Sequence, residues 1–406
     1  MLSRFRTNES RQTPPQAWVE IDLAAVKFNF NQIRKLARHQ LEPRRGRDVG
    51  MLAVVKADAY GHGMQEVASV IAREGGVFFA VSNVEEGALL RKHLGQRARI
   101  IVFEATLTEL VPYFLKYDLT PAVCTMEFVR ALDTAAAKSR GSRGASPQLP
   151  VHVKIDTGMG RMGVKHADAL GFVQALSAFK HIAVEGLFTH FPLADTDEDF
   201  TCAQMDGFSR VVADAIKHGV AFTYLHAANS MGLSGYKNRL FNLARPGIML
   251  YGLYPSVNVV KALSLKPVMA VKARVLLLKM ITAGSGISYG HMFKASRNIP
   301  AAVVSIGYSD GYSRALSNKA SVLINGVRCP VLGRVTMDQV VVDITQALEA
   351  AQVSVGDEVV VMGRQGKGVV TADDLADWAG TIHYEITCHM GNRLPRVYKN
   401  RRCEKD

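Results

Sequence analysis

In "AVVKADAYGHG" (residues 53–63) a single lysine, Lys56, stands just past an apolar run, followed by Asp58, Tyr60 and His62. A lysine at a strand end has a plain role, snorkelling its ammonium into water. It has a sharper one as an amine, desolvated enough to serve as nucleophile or proton-transfer base. A second lysine, Lys154, lies in "VHVKIDTGMGRMG" (151–163), ahead of Arg161. There Val151, Val153 and Ile155 share one face of a strand, while His152, Lys154 and Asp156 share the other. The aliphatic face suits packing helices, so the polar face points inward. A lysine buried there needs a partner, and Asp156 or another acid is the structural choice. His190 in "THF", His226 and Ser230 in "HAANS", and Arg245 in "ARPGI" also stand where apolar runs end. Taken singly, the two histidines read as hydrogen-bonded core residues.

Those ends belong to an alternating pattern. Apolar runs at 51–55, 77–82, 99–103, 119–124, 150–155, 183–189, 222–226 and 243–250 read as strands. Amphipathic stretches such as "MQEVASVIAREGG", "NVEEGALLRKHL" and "DALGFVQALSAF" read as the helices between them, and "DLAAVKFNFNQIRKLARH" as a helix before the first. Strands and helices alternating in this way over roughly 200 residues predict an α/β fold, a (β/α)8 barrel of TIM type, with its chemistry at the C-terminal strand ends. A doubly wound open sheet is the competing arrangement, but no GxGxxG follows the first strand. Beyond residue 263 strands come in quick succession in "MAVKARVLLLKM", "AAVVSIGY", "ASVLINGVRCPVLG" and "QVVVDI", with Asn325-Gly326 as a hairpin turn. In that part "TADDLADWAG", capped by Thr371, is the one convincing helix. The expected organisation is an N-terminal extension (1–15), a barrel (16–263) and a mostly-β C-terminal domain (264–406).

In barrels of this kind the loops after strands 7 and 8 often hold phosphate. Here they offer the Ser230 hydroxyl and backbone N–H groups around Gly247 and Ile248, where an absent side chain lets a phosphate approach. An amine, a phosphate cradle and a basic side chain between them fit pyridoxal phosphate carried on a lysine.

Composition narrows the class. With 406 residues, 48% hydrophobic and 21% charged, the chain has room for two globular domains. Cys124, Cys202, Cys329, Cys388 and Cys403 are odd in number, scattered and without metal-ligand spacing. That usage suits a reducing cytosol and gives neither a disulfide framework nor a metal site. The basic "MLSRFRTNES" has no apolar stretch behind it, and "VLLLKMITAG" is broken by Lys279, so neither a secretory signal nor a membrane span is expected. The expected location is cytoplasmic. A net charge of +13 invites a nucleic-acid partner. Much of it, however, lies in "EPRRGR", "KSRGSRG" and "KNRRCEK", without interleaved aromatics. No nucleic acid is expected, and the charge favours an anionic substrate or cofactor.

Together "WVEIDLAAVKFNFN", "AVVKADAYGHG", "VHVKIDTGMGRMG", "EGLFTHF", "HAANS", "ARPGIMLYG", "GSGISYG", "IGYSDGY", "GRVTMDQ" and "YEITC…RLPRVY" resemble the alanine racemase family, in its order and over nearly the whole chain. The resemblance implies a pyridoxal-phosphate enzyme that is a homodimer with shared active sites, each subunit a barrel plus a β domain. It implies Lys56 as the residue carrying the cofactor and one catalytic base, and Tyr289 as the other, reaching the opposite face from the partner subunit. Without it, Tyr289 reads as a structural tyrosine. It further implies Tyr60, Ser230, Gly247 and Ile248 as the phosphate site and Arg245 facing the pyridine nitrogen. Arg161 is implied near the cofactor phenolate and substrate carboxylate, and the Met337 N–H as a receiver of that carboxylate. Lys154 matches a lysine often carbamylated in the family. His190 and His226 are implied to tie the tyrosine and arginine networks together, with Asp338 in support.

These residue types suit the reaction. Racemisation removes a proton from one face and returns one to the other, so two bases must flank the cofactor plane. Lysine and tyrosine ordinarily titrate near 10, and surrounding cations bring such groups toward neutrality. An arginine opposite the ring nitrogen does not easily give up its proton, so the ring stays a weak electron sink and transamination is held back. The implied function is interconversion of L- and D-alanine, supplying D-alanine for cell-wall precursors. A barrel decarboxylase needs an acid where Arg245 stands; a non-catalytic cofactor-binding protein would lack the β domain and Tyr289. Two departures stand out. Thr336 replaces a cysteine common in relatives. Asn392 replaces a tyrosine that reaches toward the phosphate, so a racemase accepting serine or larger amino acids is the alternative.

Overall fold

Parallel strands covered on both faces read as unbroken apolar runs, and Phe78–Val81 and Thr120–Val123 are buried at every position. The structure, a computed structural model, describes residues 14–42, 49–140, 148–237, 240–256, 259 and 263–400. The N-terminal stretch read for a signal, Cys403 and most of the basic runs at 42–47, 138–144 and 399–405 lie outside them. The chain divides into two units, Leu23–Pro267 and a second that joins the residues up to Asp22 to those from Val268 onward.

That division corrects one expectation. Residues 16–22, read as the start of the barrel, belong to the second unit, where Ala17–Asp22 form β1. The physical reason is a ladder on each edge: β1 runs antiparallel to Met269–Ile281 from Ala17↔Ala273 to Ile21↔Met269, and parallel to Arg396–Lys399. Residues 264–267 fall instead with the barrel.

The barrel strands are β2 (Gly50–Val54), β3 (Phe78–Val81), β4 (Arg99–Val102), β5 (Thr120–Val123), β6 (Leu149–Asp156), the short β7 (Val164–Lys165), β8 (Ile182–Phe188), β9 (Tyr224–His226) and β10 (Leu243–Ala244). They pair in parallel in the order β10-β2-β3-β4-β5-β6-β8-β9, with β7 added on β6. A bridge between Asn229 and Arg245, with the Arg245 N–H donating to Ala228 O at 2.8 Å, brings the ends of that row together. Leu52, Val54, Phe78, Ala80, Ile101 and Leu243 fill part of the interior. Helices Leu23–Gln40, Met64–Arg73, Val84–Leu94 and Ala169–Leu176 lie where amphipathic periodicity predicts them. The run at 243–250 is a strand for only two residues. Pro246 brings no N–H to a ladder, and a 3-10 turn, Ile248–Tyr251, follows.

In the second unit the strands are β11 (Met269–Ile281), the small hairpin β12 (Gly286–Ile287) and β13 (Phe293–Lys294), β14 (Ile299–Val304), β15 (Ser321–Ile324), β16 (Val327–Leu332), β17 (Val340–Asp343), β18 (Glu358–Gln365), β19 (Gly368–Val370) and β20 (Arg396–Lys399). Pairings β11–β14–β17–β16–β15–β18 return to β11, so six antiparallel strands close on themselves. Asn325 and Gly326, at φ 52° and 79°, make the tight hairpin turn between β15 and β16. Thr371 caps Ala372–Ala379 in a reciprocal box with Asp374. Two further helices, Thr345–Ala350 and His383–His389, escape a reading by periodicity because each is under two turns long.

Candidate active site

Lys56 opens the turn after β2, and the four residues behind it are all left-handed: Ala57, Asp58, Ala59 and Tyr60 have φ of 52°, 51°, 56° and 54°. Each such non-glycine residue costs roughly 1–2 kcal/mol, so surrounding bonds must hold the turn. Gly61 N–H donates to Ala57 O at 2.9 Å and Gly63 N–H to Asp58 O at 2.9 Å. Met64 N–H donates to the Asp58 carboxylate at 2.8 Å. Glu86, three residues past the helix cap Asn83, accepts from Ala57 N at 2.7 Å and Ser82 N at 2.8 Å. Sequence reasoning passed over Glu86; the Asn-x-x-Glu spacing was its signal. Tyr251 braces the same turn, donating to Val54 O at 2.8 Å and packing its ring against His62 and Tyr60.

The phosphate-type residues converge. The Gly247 N–H donates to Ser230 Oγ at 3.1 Å, and a Cβ at Gly247 would lie 2.6 Å from the Tyr60 hydroxyl. Ile248 opens its 3-10 turn, so its N–H has no acceptor within it. The Tyr60 and Ser230 hydroxyls with the Gly247 and Ile248 N–H groups, gathered around a missing side chain, are a donor set for an anion, and Lys56 stands on the same turn as Tyr60. These residues fit pyridoxal phosphate.

Arg245, at the end of β10, is buried. Its guanidinium donates to Thr189 O at 2.8 Å, Ala227 O at 3.0 Å, His226 Nδ1 at 3.1 Å and His190 Nδ1 at 3.3 Å. Burial and the charges of Arg245, Lys154, Arg161 and Lys56 hold His190 well below its ordinary value, so it is neutral and able to accept. Lys154 is also buried, but the expected pair with Asp156 does not form. Asp156 spends its carboxylate on the Gly158 and Gly160 N–H groups of its own turn, and Lys154 Nζ lies 5.0 Å over the Phe188 ring. Burial, then Arg245 and Arg161, pull the Lys154 amine down to about 7. Arg161 is exposed on the loop after β6.

In the second unit, Tyr289 is 74% exposed in a 3-10 turn, Tyr289–His291. With Ser288, Gly290, His291, Thr336 and Gln339 it lines an open hollow of about 540 Å³. Thr336 fits its place, donating to Gln339 O at 2.8 Å and accepting from Gln339 N at 3.2 Å. Met337 is held through its carbonyl, which accepts from Ser309 N and Ser309 Oγ at 3.1 and 2.6 Å. Arg393, which sequence reasoning did not single out, bridges Asp338 at 2.9 Å and Asp310 at 3.3 Å. Asn392 is exposed in the turn beside it. Thus the barrel unit gathers Lys56, Tyr60, Lys154, His190, His226, Ser230, Arg245, Gly247 and Ile248 at its C-terminal strand ends, while Tyr289, Met337 and Asp338 stand on the β unit.

Both parts of the chain match domains of known proteins. Residues 21–255 match the alanine racemase N-terminal domain and residues 268–398 the alanine racemase C-terminal domain. The alanine racemase of Halothermothrix orenii is 41% identical over 385 residues, covering 95% of this chain and 97% of that protein. That of Geobacter sulfurreducens is 39% identical over 387 residues, covering 94% and 96%. A solved alanine racemase from Clostridium difficile superposes with a TM-score of 0.86 at 34% identity, covering 95% of this chain and 96% of that one. One from Bartonella henselae, with covalently bound pyridoxal phosphate, gives 0.83 at 26% identity, covering 95% and 100%. These relatives are named for alanine, and they lend no support to the broader substrate range read from Asn392. No helix among the described residues is long and apolar enough to cross a membrane. The chain belongs to the alanine racemase family, and the reaction it catalyses is the interconversion of L- and D-alanine.

Proposed function

We propose that pyridoxal phosphate is carried on Lys56, with its phosphate held by Tyr60, Ser230 and the Gly247–Ile248 backbone and its ring nitrogen facing Arg245. The observation that carries this reading is the convergence of the Tyr60 hydroxyl, Ser230 Oγ and Gly247 N–H beside the turn that bears Lys56. When bound, the cofactor supplies the electron withdrawal that acidifies the amino acid's Cα–H. Lys56 takes or returns the proton on one face, and Tyr289 of the partner subunit does so on the other. Arg245 stays charged and donates to the ring nitrogen without giving up its proton, which limits that withdrawal and favours simple proton return. Arg161 and the Met337 N–H receive the substrate carboxylate, the latter with its peptide fixed by the Tyr308 N–H, which donates to Thr336 O at 3.0 Å.

A homodimer is the assembly this requires. Exposed Tyr289, Met292, Tyr308 and Met337 on the β unit supply apolar surface for it. The protein works in the cytoplasm and supplies D-alanine for cell-wall precursors. Purified protein with pyridoxal phosphate drives the circular dichroism of D-alanine to zero with no release of carbon dioxide. Carbon dioxide release would mark a decarboxylase, and a stable signal a non-catalytic binder.

Lys154 is the lysine poised for carbamylation. An amine at about 7 is substantially neutral at physiological pH, and neutral amine is the form that adds carbon dioxide. The product carries a negative charge beside the cations Arg245 and Arg161. In 13C-bicarbonate the protein shows a carbamate carbon resonance that is absent from Lys154→Met and fades as pH falls below about 7, where the amine protonates. A resonance that persists in Lys154→Met assigns the modification elsewhere.

A further inference from the structure

Behind Arg245 a file of polar side chains crosses the barrel interior. His226 Nε2 lies 2.8 Å from His152 Nδ1, and His152 Nε2 lies 3.3 Å from Glu185 Oε2. Arg99, at the start of β4, closes the far end with an ion pair to Glu185 and a 2.9 Å bond to the Tyr224 hydroxyl. Both imidazoles are fully buried.

Two local features put Glu185 there. The β6–β8 ladder slips so that Val184 faces Val151 and Gly186 faces His152, leaving Glu185 as the extra residue of a bulge. Bulges re-aim side chains in this way next to active sites. A Cβ at Gly186 would lie 2.5 Å from His152 Nδ1, so glycine is what leaves room for the ring.

The ends dictate the direction of every bond in the file. A guanidinium only donates, so His226 Nδ1 accepts from Arg245 and the His226 proton sits on Nε2. That proton points at His152 Nδ1, which accepts, and the His152 proton on Nε2 is donated to the carboxylate. Both rings are then neutral. Burial, joined by the Arg245 charge, pushes His226 well below its ordinary value. Burial and the charges of Arg99 and Arg245 lower His152 against the pull of Glu185. Although burial raises Glu185, the His152 hydrogen bond and Arg99 bring it below the usual carboxylate range. With the proton on Nδ1 instead, His226 would set donor against donor at Arg245. Among the described residues no carboxylate lies within ion-pair distance of Arg245; its acceptors are carbonyls and neutral imidazoles.

We propose that Glu185, acting through His152, holds His226 in its Nε2–H form and so keeps Arg245 aimed as a donor at the cofactor's pyridine nitrogen. Glu185 and His152 are positioning residues of the racemase site. This rests on the reading of Lys56 and Arg245 given above. The competing role for the file is a polar plug that serves stability alone, since the far face of such barrels commonly does.

The test compares holoenzyme of the wild type, Glu185→Gln and His152→Phe. A glutamine amide both donates and accepts, so it no longer forces the direction; phenylalanine keeps the ring volume and cuts the file, which covers the case in which Glu185→Gln does not fold. With 15N-labelled histidine, the wild type shows His226 Nδ1 unprotonated and Nε2 protonated, and in the variants that pattern shifts toward a mixture. The absorption of the bound cofactor changes its pH dependence, and kcat falls about tenfold while KM for alanine changes less than about threefold. Borohydride trapping checks the underlying reading. Label on Lys56 with unchanged 15N pattern and cofactor absorption in the variants overturns the positioning role alone. No label on Lys56 in the wild type overturns that role together with the reading it rests on.

Discussion

Replacing Lys56 by alanine lowers kcat/KM for alanine by about 10⁴-fold or more, since one substitution removes both the covalent anchor and a base. Two lysines compete for this role. Lys154 is the more deeply buried and has its amine pulled down to about 7, which favours it as a free amine near neutrality. Geometry decides the other way. Lys154 Nζ lies over Phe188 inside the barrel, whereas Lys56 opens the turn whose Tyr60 hydroxyl adjoins Gly247. Borohydride reduction of the wild type followed by peptide mapping therefore leaves the cofactor on the peptide containing Lys56. Label on Lys154 would transfer the role to it.

Mixing two dead proteins restores activity. Lys56→Ala and Tyr289→Phe are each expected to be nearly inactive, because each lacks one of the two bases at every site. If the site pairs the barrel of one subunit with Tyr289 of the partner subunit, a mixed dimer has one site with both residues intact. Random exchange puts half of the chains in mixed dimers, so about a quarter of wild-type activity returns. No recovery after subunit exchange, verified with tagged chains, means that each chain works alone. The 74% exposure of Tyr289, unusual for a residue meant to transfer protons in a dry site, is the feature a partner subunit would remove.

The barrel was legible because its strands are short, apolar and covered on both faces, so composition alone marks them. The inward face of β6 was legible too, since a period of two separates Val151, Val153 and Ile155 from His152, Lys154 and Asp156. Most candidate residues for the site followed from standing at strand ends. What those residues do to one another was not legible. Lys154 and Asp156 are two apart on one face, and that spacing looks like an ion pair. Only the turn at Gly158 and Gly160, which claims the carboxylate through backbone N–H groups, shows why it is not.

The left-handed turn after Lys56 was hidden for a related reason. Nothing in "KADAY" favours φ near +50°; bonds from Glu86, Gly61 and Gly63 impose it. The same holds for β1, whose sequence fits any half-buried strand and whose unit is set by the ladder that Met269–Ala273 offers. Glu185 is the sharpest case. Strict alternation along β8 gives its side chain no reason to reach His152, and a one-residue slip against β6 supplies that reason. Period and polarity are local properties, readable from a few neighbours. Register, bulges and the partner of a buried charge depend on residues tens of positions away, and folding alone brings those together.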